Sequence, residues 1–143
     1  MRSGYTLIEA ALALAIAGLL LGIALPRFTA VKQEVAVEQS AQSLVAAHRR
    51  ARTLAVARGH PAILSVAERS LRITLSGAAE PHWTAPGPLE GGVAVTGVPR
   101  DITFSPLGHT TGLSNASFHL SAGSASRTVV LSRLGRARIL RAR

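Results

Sequence analysis

A long apolar segment lies close to the start of the chain. From Ala10 to Leu25 no charged or strongly polar side chain occurs. Sixteen helical residues rise roughly 24 Å at about 1.5 Å each, slightly less than a hydrocarbon core of about 30 Å. Because a surface helix needs a polar face, three interpretations remain: a secretory signal peptide, a membrane anchor or a buried core helix. The signal peptide fits poorly, since Glu9 borders the run and Pro26 follows where a small-residue cleavage site is expected.

The helical period continues beyond Pro26, now with a polar face. One stripe recurs at intervals of three and four: Val37, Ala41, Leu44, His48, Ala51 and Ala55. Gly59 and Pro61 supply the end, because glycine adopts the left-handed cap and proline cannot continue a helix. The sequence therefore predicts one helix of about 50 residues, bent at Pro26. His48 is expected to be a core or interface residue with satisfied hydrogen bonds rather than a ligand.

After Gly59 the hydrophobic period changes to two, which is typical of strands. Ala62–Val66 and Leu71–Leu75 flank a turn at 68–70 and predict a hairpin. Further short strands are predicted at Val93–Thr96, Ile102–Phe104, Ser117–Leu120, Arg127–Ser132 and Ala137–Leu140. A long N-terminal helix packed on a C-terminal antiparallel β-sheet is an α+β fold.

The segment 76–92 is rich in glycine and proline and predicts a long loop. It contains Trp83, the only tryptophan of the chain. We interpret Trp83 either as a contact for a neighbouring subunit or ligand, or as the residue that pins the loop to the body of the domain.

The composition narrows the classes of function. The chain has 143 residues, 48% of them hydrophobic, so we expect one domain with its own core and no intrinsic disorder. Cysteine is absent, which excludes disulfides, thiolate zinc sites and cysteine nucleophiles. Aromatic residues make up only 3%, too few for a platform on which bases stack. The net charge of +9 still favours phosphate or anionic lipid as a partner.

Arginines concentrate at the C-terminus. Six of them, with no acid among them, fall in the last seventeen residues: Arg127, Arg133, Arg136, Arg138, Arg141 and Arg143. In a strand, Arg136 and Arg138 point to one face, and each guanidinium can bind a phosphate through two hydrogen bonds. This end is therefore a candidate for sequence-independent contact with the backbone of double-stranded DNA. The candidate contacts are Arg133, Arg136, Arg138, Arg141 and Arg143. Acidic neighbours in a filament and anionic lipid are the alternatives.

The sequence gives little support to catalysis. The five histidines have no metal-ligand spacing with one another or with a carboxylate. No two carboxylates of the soluble part form a close pair suited to acid–base chemistry, and the motif Gly-x-Ser-x-Gly is missing. We expect no enzyme activity, no cofactor and no metal.

Glu9 stands at the edge of the apolar segment. A carboxylate deep in a bilayer costs about 2.5–3.5 kcal/mol and calls for a partner. No Lys or Arg lies within one helical turn after it, and the nearest candidate is an α-amine at Tyr5, which exists only if the chain is cut after Gly4. The alternative is that Glu9 complements the dipole at a helix N-terminus.

The segment Gly4-Tyr5-Thr6-Leu7-Ile8-Glu9, followed by the apolar run, resembles the type IV prepilin signal. The resemblance implies that a prepilin peptidase cuts after Gly4 and that Tyr5 becomes the N-methylated first residue. It also implies that Glu9 is the glutamate that pairs with a neighbouring subunit's amine during assembly. Residues 1–4 are then the leader. This leader is short for the family, which is compatible with a start codon further upstream.

The soluble half is similar to minor pilins and pseudopilins of the GspH/FimT type. The matching stretches are Ala51-Arg52-Thr53-Leu54-Ala55-Val56, Ile102-Thr103-Phe104-Ser105-Pro106-Leu107-Gly108, Val129-Val130-Leu131-Ser132 and Gly135-Arg136-Ala137-Arg138. The resemblance implies a type IV pilin-like fold. Its parts are a filament-core and membrane helix over 5–26, an amphipathic continuation over 27–59, and a β domain with an Arg-rich tail over 60–143. FimT-like minor pilins are associated with DNA capture in natural transformation, and Gly135-Arg136-Ala137-Arg138 matches their motif.

Three hypotheses for the function follow. The first is a non-catalytic minor pilin that binds DNA through its Arg-rich end, and the second is a GspH-type minor pseudopilin of a type II secretion system without DNA binding. The third is a membrane-anchored binding domain that never polymerises. For the first two, the expected partners are other pilin or pseudopilin subunits, prepilin peptidase and the bacterial inner membrane. The soluble domain is expected in the periplasm or on an extracellular filament.

Overall fold

The computed structural model describes residues 6–111, 115–132 and 134–141, without the side chains of residues 23–26. Within these residues one helix, α1 (Leu7–Arg58), precedes nine strands. The strands are β1 (Ala62–Val66), β2 (Ser70–Leu75), β3 (Trp83–Pro86), β4 (Ala94–Thr96), β5 (Arg100–Phe104), β6 (Thr110–Thr111), β7 (Ala116–Ala122), β8 (Ala125–Leu131) and β9 (Ala137–Arg141). A short 3-10 helix, Pro88–Gly91, lies between β3 and β4.

The chain divides into two compact units, one up to Lys32 and one from Gln33 onward. The first unit contains the apolar part of α1, and its large aliphatic side chains are exposed in the single chain, with Leu7 at 89% and Leu19 at 72%. The length and composition of α1 are sufficient for a helix that crosses a membrane.

The second unit contains two antiparallel sheets. The first has the strand order β3-β2-β1-β5-β6, and the second has the order β4-β7-β8-β9. The pairing in the first sheet is regular, since Leu64 of β1 lies opposite Ile73 of β2 and Ile102 of β5. The predicted hairpin of β1 and β2 is confirmed.

The core forms between the second part of α1 and both sheets. The buried face of α1 comprises Val37, Ala41, Leu44, Val45, Ala47, His48, Ala51 and Ala55, which includes every member of the stripe that the 3.6-residue period predicted. These residues share one cluster with alternate residues of the strands, such as Phe104 of β5 and Phe118 of β7. Alternation in the strands brings one face of each sheet against the helix. The predicted α+β fold is confirmed.

The predicted end of α1 is also confirmed, because the helix ends at Arg58 and Gly59 has a φ of 64°. The loop predicted over 76–92 is wrong in part, since it contains β3 and the 3-10 helix. β3 ends on a proline and is an edge strand, where a missing N–H is tolerated, so its sequence lacks the usual strand pattern. Trp83 opens β3 and packs partly buried against the core, as expected of a residue that pins the segment.

Candidate nucleic-acid interface

The N-terminal residues that the sequence selected lie at the start of α1. Gly4 and Tyr5 lie outside the described residues, and Glu9 is exposed in the first turn of the helix. The Thr6 hydroxyl accepts a hydrogen bond from the Glu9 backbone N–H at 3.4 Å, and the Thr6 carbonyl accepts one from the Ala10 N–H at 3.2 Å. Threonine three residues before glutamate has the spacing of a capping box. The carboxylate therefore lies where the helix dipole favours negative charge.

Three of the five predicted DNA contacts, Arg136, Arg138 and Arg141, are described, and they lie on or beside β9. Arg133 and Arg143 are outside the described residues. Arg136 immediately precedes β9 and is exposed, and Arg138 is exposed within it, whereas Ala137 and Ile139 are partly buried against the core. In the described residues β9 pairs with β8 alone, so it is an edge strand. The geometry thus brings Arg136 and Arg138 to one accessible edge of the second sheet.

Arg141 differs from the other two because a carboxylate lies near it. The pKa of Glu38 on α1 is lowered by hydrogen bonds from Gln42 and Arg127 and, to a smaller extent, by the charge of Arg141. Arg141 has the same parity in β9 as Ala137 and Ile139, and alternate residues of a strand share a face. The charge of Arg141 is therefore partly balanced by the helix, while Arg138 faces away from it.

Arg127 is not part of the basic surface. It is 7% exposed, and its guanidinium is directed to α1. Its Nε donates to Glu38 Oε2 at 3.0 Å and its Nη2 to Glu34 Oε1 at 2.9 Å, while Nη1 donates to the Ser126 carbonyl at 2.9 Å. The two carboxylates raise the pKa of the guanidinium. Arg127 is one of the six C-terminal arginines but not one of the five candidate contacts, and two acids 89 and 93 residues away in sequence neutralise it.

A groove of about 680 Å³ lies between α1 and the segment that leads into β9. Its helix wall contains His48, Arg49, Arg52, Thr53, Val56 and Ala57, and its other wall contains Gly135, Arg136 and Ala137. Arg136 thus lies across a groove from two arginines of α1. We name this the arginine groove. The sequence signal was the i, i+3 spacing of Arg49 and Arg52, which places both on one helix face.

His48 lines the arginine groove and is almost completely buried, at 1% exposure. Its ring packs edge-on against Phe104, with centroids 5.0 Å apart. Neither ring nitrogen has a hydrogen-bond partner among the described residues. Burial lowers the pKa of His48 to about 4, with smaller contributions from the charges of Arg52 and Arg49. The prediction of a core position is confirmed, while the expected hydrogen bonds of the ring are not made to any described residue.

A second groove, of about 350 Å³, lies on the other side of the helix. Small residues of α1 such as Ser40 and Ser43 form one wall, and Trp83 with the segment to Pro88 forms the other. The Arg50 guanidinium lies 5.1 Å from the centre of the Trp83 ring, a cation–π contact. Arg50 is therefore engaged here, away from the arginine groove.

Comparison with known sequences decides the family. The model of the family described as Type II transport protein GspH matches residues 40–135, more than half of the chain. The chain belongs to this family. A search of curated proteins gives no significant match. The matched region includes α1 from Ser40 and ends at Gly135, just before the exposed arginines Arg136 and Arg138.

Solved structures share the fold of this GspH-family chain. The type IV minor pilin FimU of Pseudomonas aeruginosa strain PAO1 is similar with a TM-score of 0.60 and 19% identity, over 73% of this chain and 87% of FimU. A second crystal structure of FimU gives 0.57 and 19%, over 72% and 91%. The minor pseudopilin EpsH from the Type 2 Secretion System of Vibrio cholerae gives 0.53 and 14%, over 73% and 96%.

The family match and the shared fold confirm the resemblance to GspH/FimT-type pilins. The chain is a structural subunit of the minor pilin or pseudopilin class, and membership implies assembly with other pilin subunits. The helix that is apolar enough to span a membrane agrees with the anchored architecture of this class.

Proposed function

We propose that this GspH-family chain is a non-catalytic minor subunit of a type IV filament that binds double-stranded DNA without sequence preference. The proposed contacts are Arg136 and Arg138, together with Arg133, Arg141 and Arg143. DNA uptake in natural transformation is the process that such a subunit serves.

One observation carries this proposal. Arg138 is exposed on an edge strand and Arg136 is exposed immediately before it, and neither forms an ion pair with another described residue. Arginines without acidic partners can give bidentate contacts to phosphates, and phosphate contacts supply affinity without reading the bases. Arg127 is paired with Glu34 and Glu38, so the exposed arginines described in the second sheet are those on and beside β9.

The same proposal includes the route to the filament. Prepilin peptidase cuts between Gly4 and Tyr5, and residues 5–26 hold the subunit in the inner membrane with the β domain in the periplasm. During assembly, Glu9 pairs with the Tyr5 amine of a neighbouring subunit. A paired charge in an apolar environment gives register more reliably than stability.

The DNA contacts are tested with the full-length protein in a nonionic detergent and a short fluorescent duplex of arbitrary sequence. If three or four arginines meet phosphates, log K should fall with log salt at a slope near −3, because each contact contributes about −0.9. Arg136→Gln/Arg138→Gln should weaken binding and reduce the slope by about 1.8. The matched control is Arg50→Gln/Arg72→Gln, which removes the same charge from the side of Trp83 and β2.

The second candidate is a pseudopilin of a type II secretion system without DNA binding. The description of the matching family as a type II transport protein favours it. In that case the duplex binds weakly to the wild-type protein, and its affinity is the same for the Arg136→Gln/Arg138→Gln protein and for the control protein. This result would exclude the DNA proposal and leave the structural role in a secretion filament.

A further inference from the structure

We infer that the arginine groove is a phosphodiester-binding site, in which Arg49 and Arg52 of α1 join Arg136 in holding the DNA backbone. The inference rests on the proposed DNA binding and deepens it. It extends the contact surface from the edge strand onto the helix.

The first argument is the position of Arg52 between two glycines. A Cβ built on Gly135 would lie 3.5 Å from Arg52 Nε, and one built on Gly108 would lie 3.1 Å from the same atom. Both glycines have positive φ values, 70° and 78°, which other residues rarely adopt. The missing side chain of Gly108 leaves room for the Arg52 guanidinium, whereas a Cβ at Gly135 would make an ordinary contact with it.

The second argument is charge. Arg49 and Arg52 are exposed, and with Arg136 they form no ion pair with another described residue. Two like charges at i, i+3 on a helix are destabilising, and the third faces them across the groove. An anion in the groove would relieve this repulsion. The groove is also large enough, at about 680 Å³, to admit a phosphate with its flanking sugars.

The third argument is an unpartnered donor at the same place. His48 is 99% buried, lines the groove, and has no hydrogen-bond partner for either ring nitrogen among the described residues. A neutral imidazole retains one N–H donor, and a buried donor without a partner costs free energy. Both nitrogens are enclosed in the free protein, so a phosphate oxygen reaches this donor only when the ring or the groove wall moves.

The test uses the full-length protein in a nonionic detergent, the same duplex and the variant Arg49→Gln/Arg52→Gln. We expect weaker binding and a salt slope reduced by about 1.8, or about 0.9 for each lost contact. Arg50→Gln/Arg72→Gln is again the control, since Arg50 projects from the adjacent position to the other groove. Equal slopes for these two variants would overturn the inference.

The two proposals fail in distinguishable ways. If Arg136→Gln/Arg138→Gln leaves binding unchanged, the proposed DNA function fails and the groove inference fails with it. If that variant is impaired while Arg49→Gln/Arg52→Gln binds as the control does, the edge strand binds DNA and only the groove is excluded. Unchanged thermal midpoints of both variants would establish that neither result reflects unfolding.

A direct readout comes from the ring nitrogens of His48 in protein labelled with ¹⁵N-histidine. Adding the duplex should shift the His48 resonance in the wild-type protein, and this shift should be lost in Arg49→Gln/Arg52→Gln. Anionic lipid is the other source of phosphate chemistry. A shift on adding phosphatidylglycerol to the micelles, with none on adding the duplex, would assign the groove to a lipid headgroup and overturn the inference.

Discussion

Among the polar and charged side chains that the structure describes, His48 is the most deeply buried, at 1% exposure. The helical period of the apolar residues alone placed His48 on the buried stripe of α1, because a spacing of 3.6 residues identifies the face that packs inward. The sequence could not reveal that its ring nitrogens have no hydrogen-bond partner among the described residues, since this depends on the packing of residues distant in sequence, such as Phe104 of β5, against the ring. Burial and two neighbouring arginines therefore make the protonated form unfavourable in the folded state.

His48 should make the protein sensitive to mild acid. Its pKa is about 4 in the folded chain, against 6.5 for an ordinary histidine, so between these values the unfolded chain binds a proton that the folded chain does not. The free energy of unfolding should then fall as pH decreases from 6.5 to 4, by at most about 1.4 kcal/mol per pH unit. Urea unfolding of the full-length protein in phosphate-free buffers measures this slope.

The variant His48→Leu should unfold with little dependence on pH between 6.5 and 4.5. An apolar side chain of similar size also removes the unsatisfied nitrogens, so we expect no loss of stability at pH 7. His119→Leu is the control, because His119 is exposed and bonded to Thr128, and it should keep the wild-type slope. Below pH 4.5 both variants should still lose stability. The pKa of Glu38 is lower in the folded chain than its ordinary value of 4.5, so the stability that its ionised form contributes is lost as pH falls below 4.5. An unchanged slope in His48→Leu would contradict the assignment.

Between elements, the ion pairs of Arg127 join β8 to α1. Arg127 is buried, whereas the side chains of Glu34 and Glu38 are 60% and 37% exposed. A charge left buried without a partner is more costly than a charge that can turn to water. The order of stability among variants should follow from this asymmetry.

Glu34→Gln/Glu38→Gln should lower the thermal midpoint more than Arg127→Met does. The first leaves a buried guanidinium without a carboxylate, and the second leaves two acids that water can solvate. Glu68→Gln/Glu80→Gln, which removes two exposed carboxylates, should have little effect. Thermal unfolding followed by circular dichroism ranks the three. A larger loss in Arg127→Met than in the Glu34 and Glu38 double variant would contradict this account.

The elements differ in how much of their structure the sequence could predict. α1, β1 and β2 follow from hydrophobic period and from Gly59, because local spacing decides which face packs inward. β3 and β6 have no such period, as they form by pairing with β2 and β5. Long-range contacts also limit what the sequence could predict about the candidate nucleic-acid interface. The exposure of Arg138 follows from alternation in β9. The ion pairs of Arg127 and the arginine groove, by contrast, depend on contacts between segments distant in sequence.

At the scale of the whole molecule, Glu9 has two possible roles at the start of an apolar helix. The structure shows Glu9 in the first turn, within a capping arrangement with Thr6. The proposed filament role requires its negative charge instead, for pairing with the Tyr5 amine of a neighbour. The two roles are separable because glutamine can replace glutamate in a capping box but carries no charge.

Glu9→Gln should therefore retain the helix start and membrane insertion but abolish most filament assembly. The measurement is cross-linking to other pilin subunits in membranes of a host that makes the filament, with mass spectrometry of the purified subunit to establish that it begins at Tyr5. Thr6→Ala is the matched control: it weakens the cap by about 0.5–2 kcal/mol but keeps the charge, so assembly should persist. If Glu9→Gln assembles normally and Thr6→Ala does not, the carboxylate serves only the helix N-terminus. A subunit that keeps Met1 would show that no amine is exposed at Tyr5, and Glu9 would then have no partner in the neighbouring subunit.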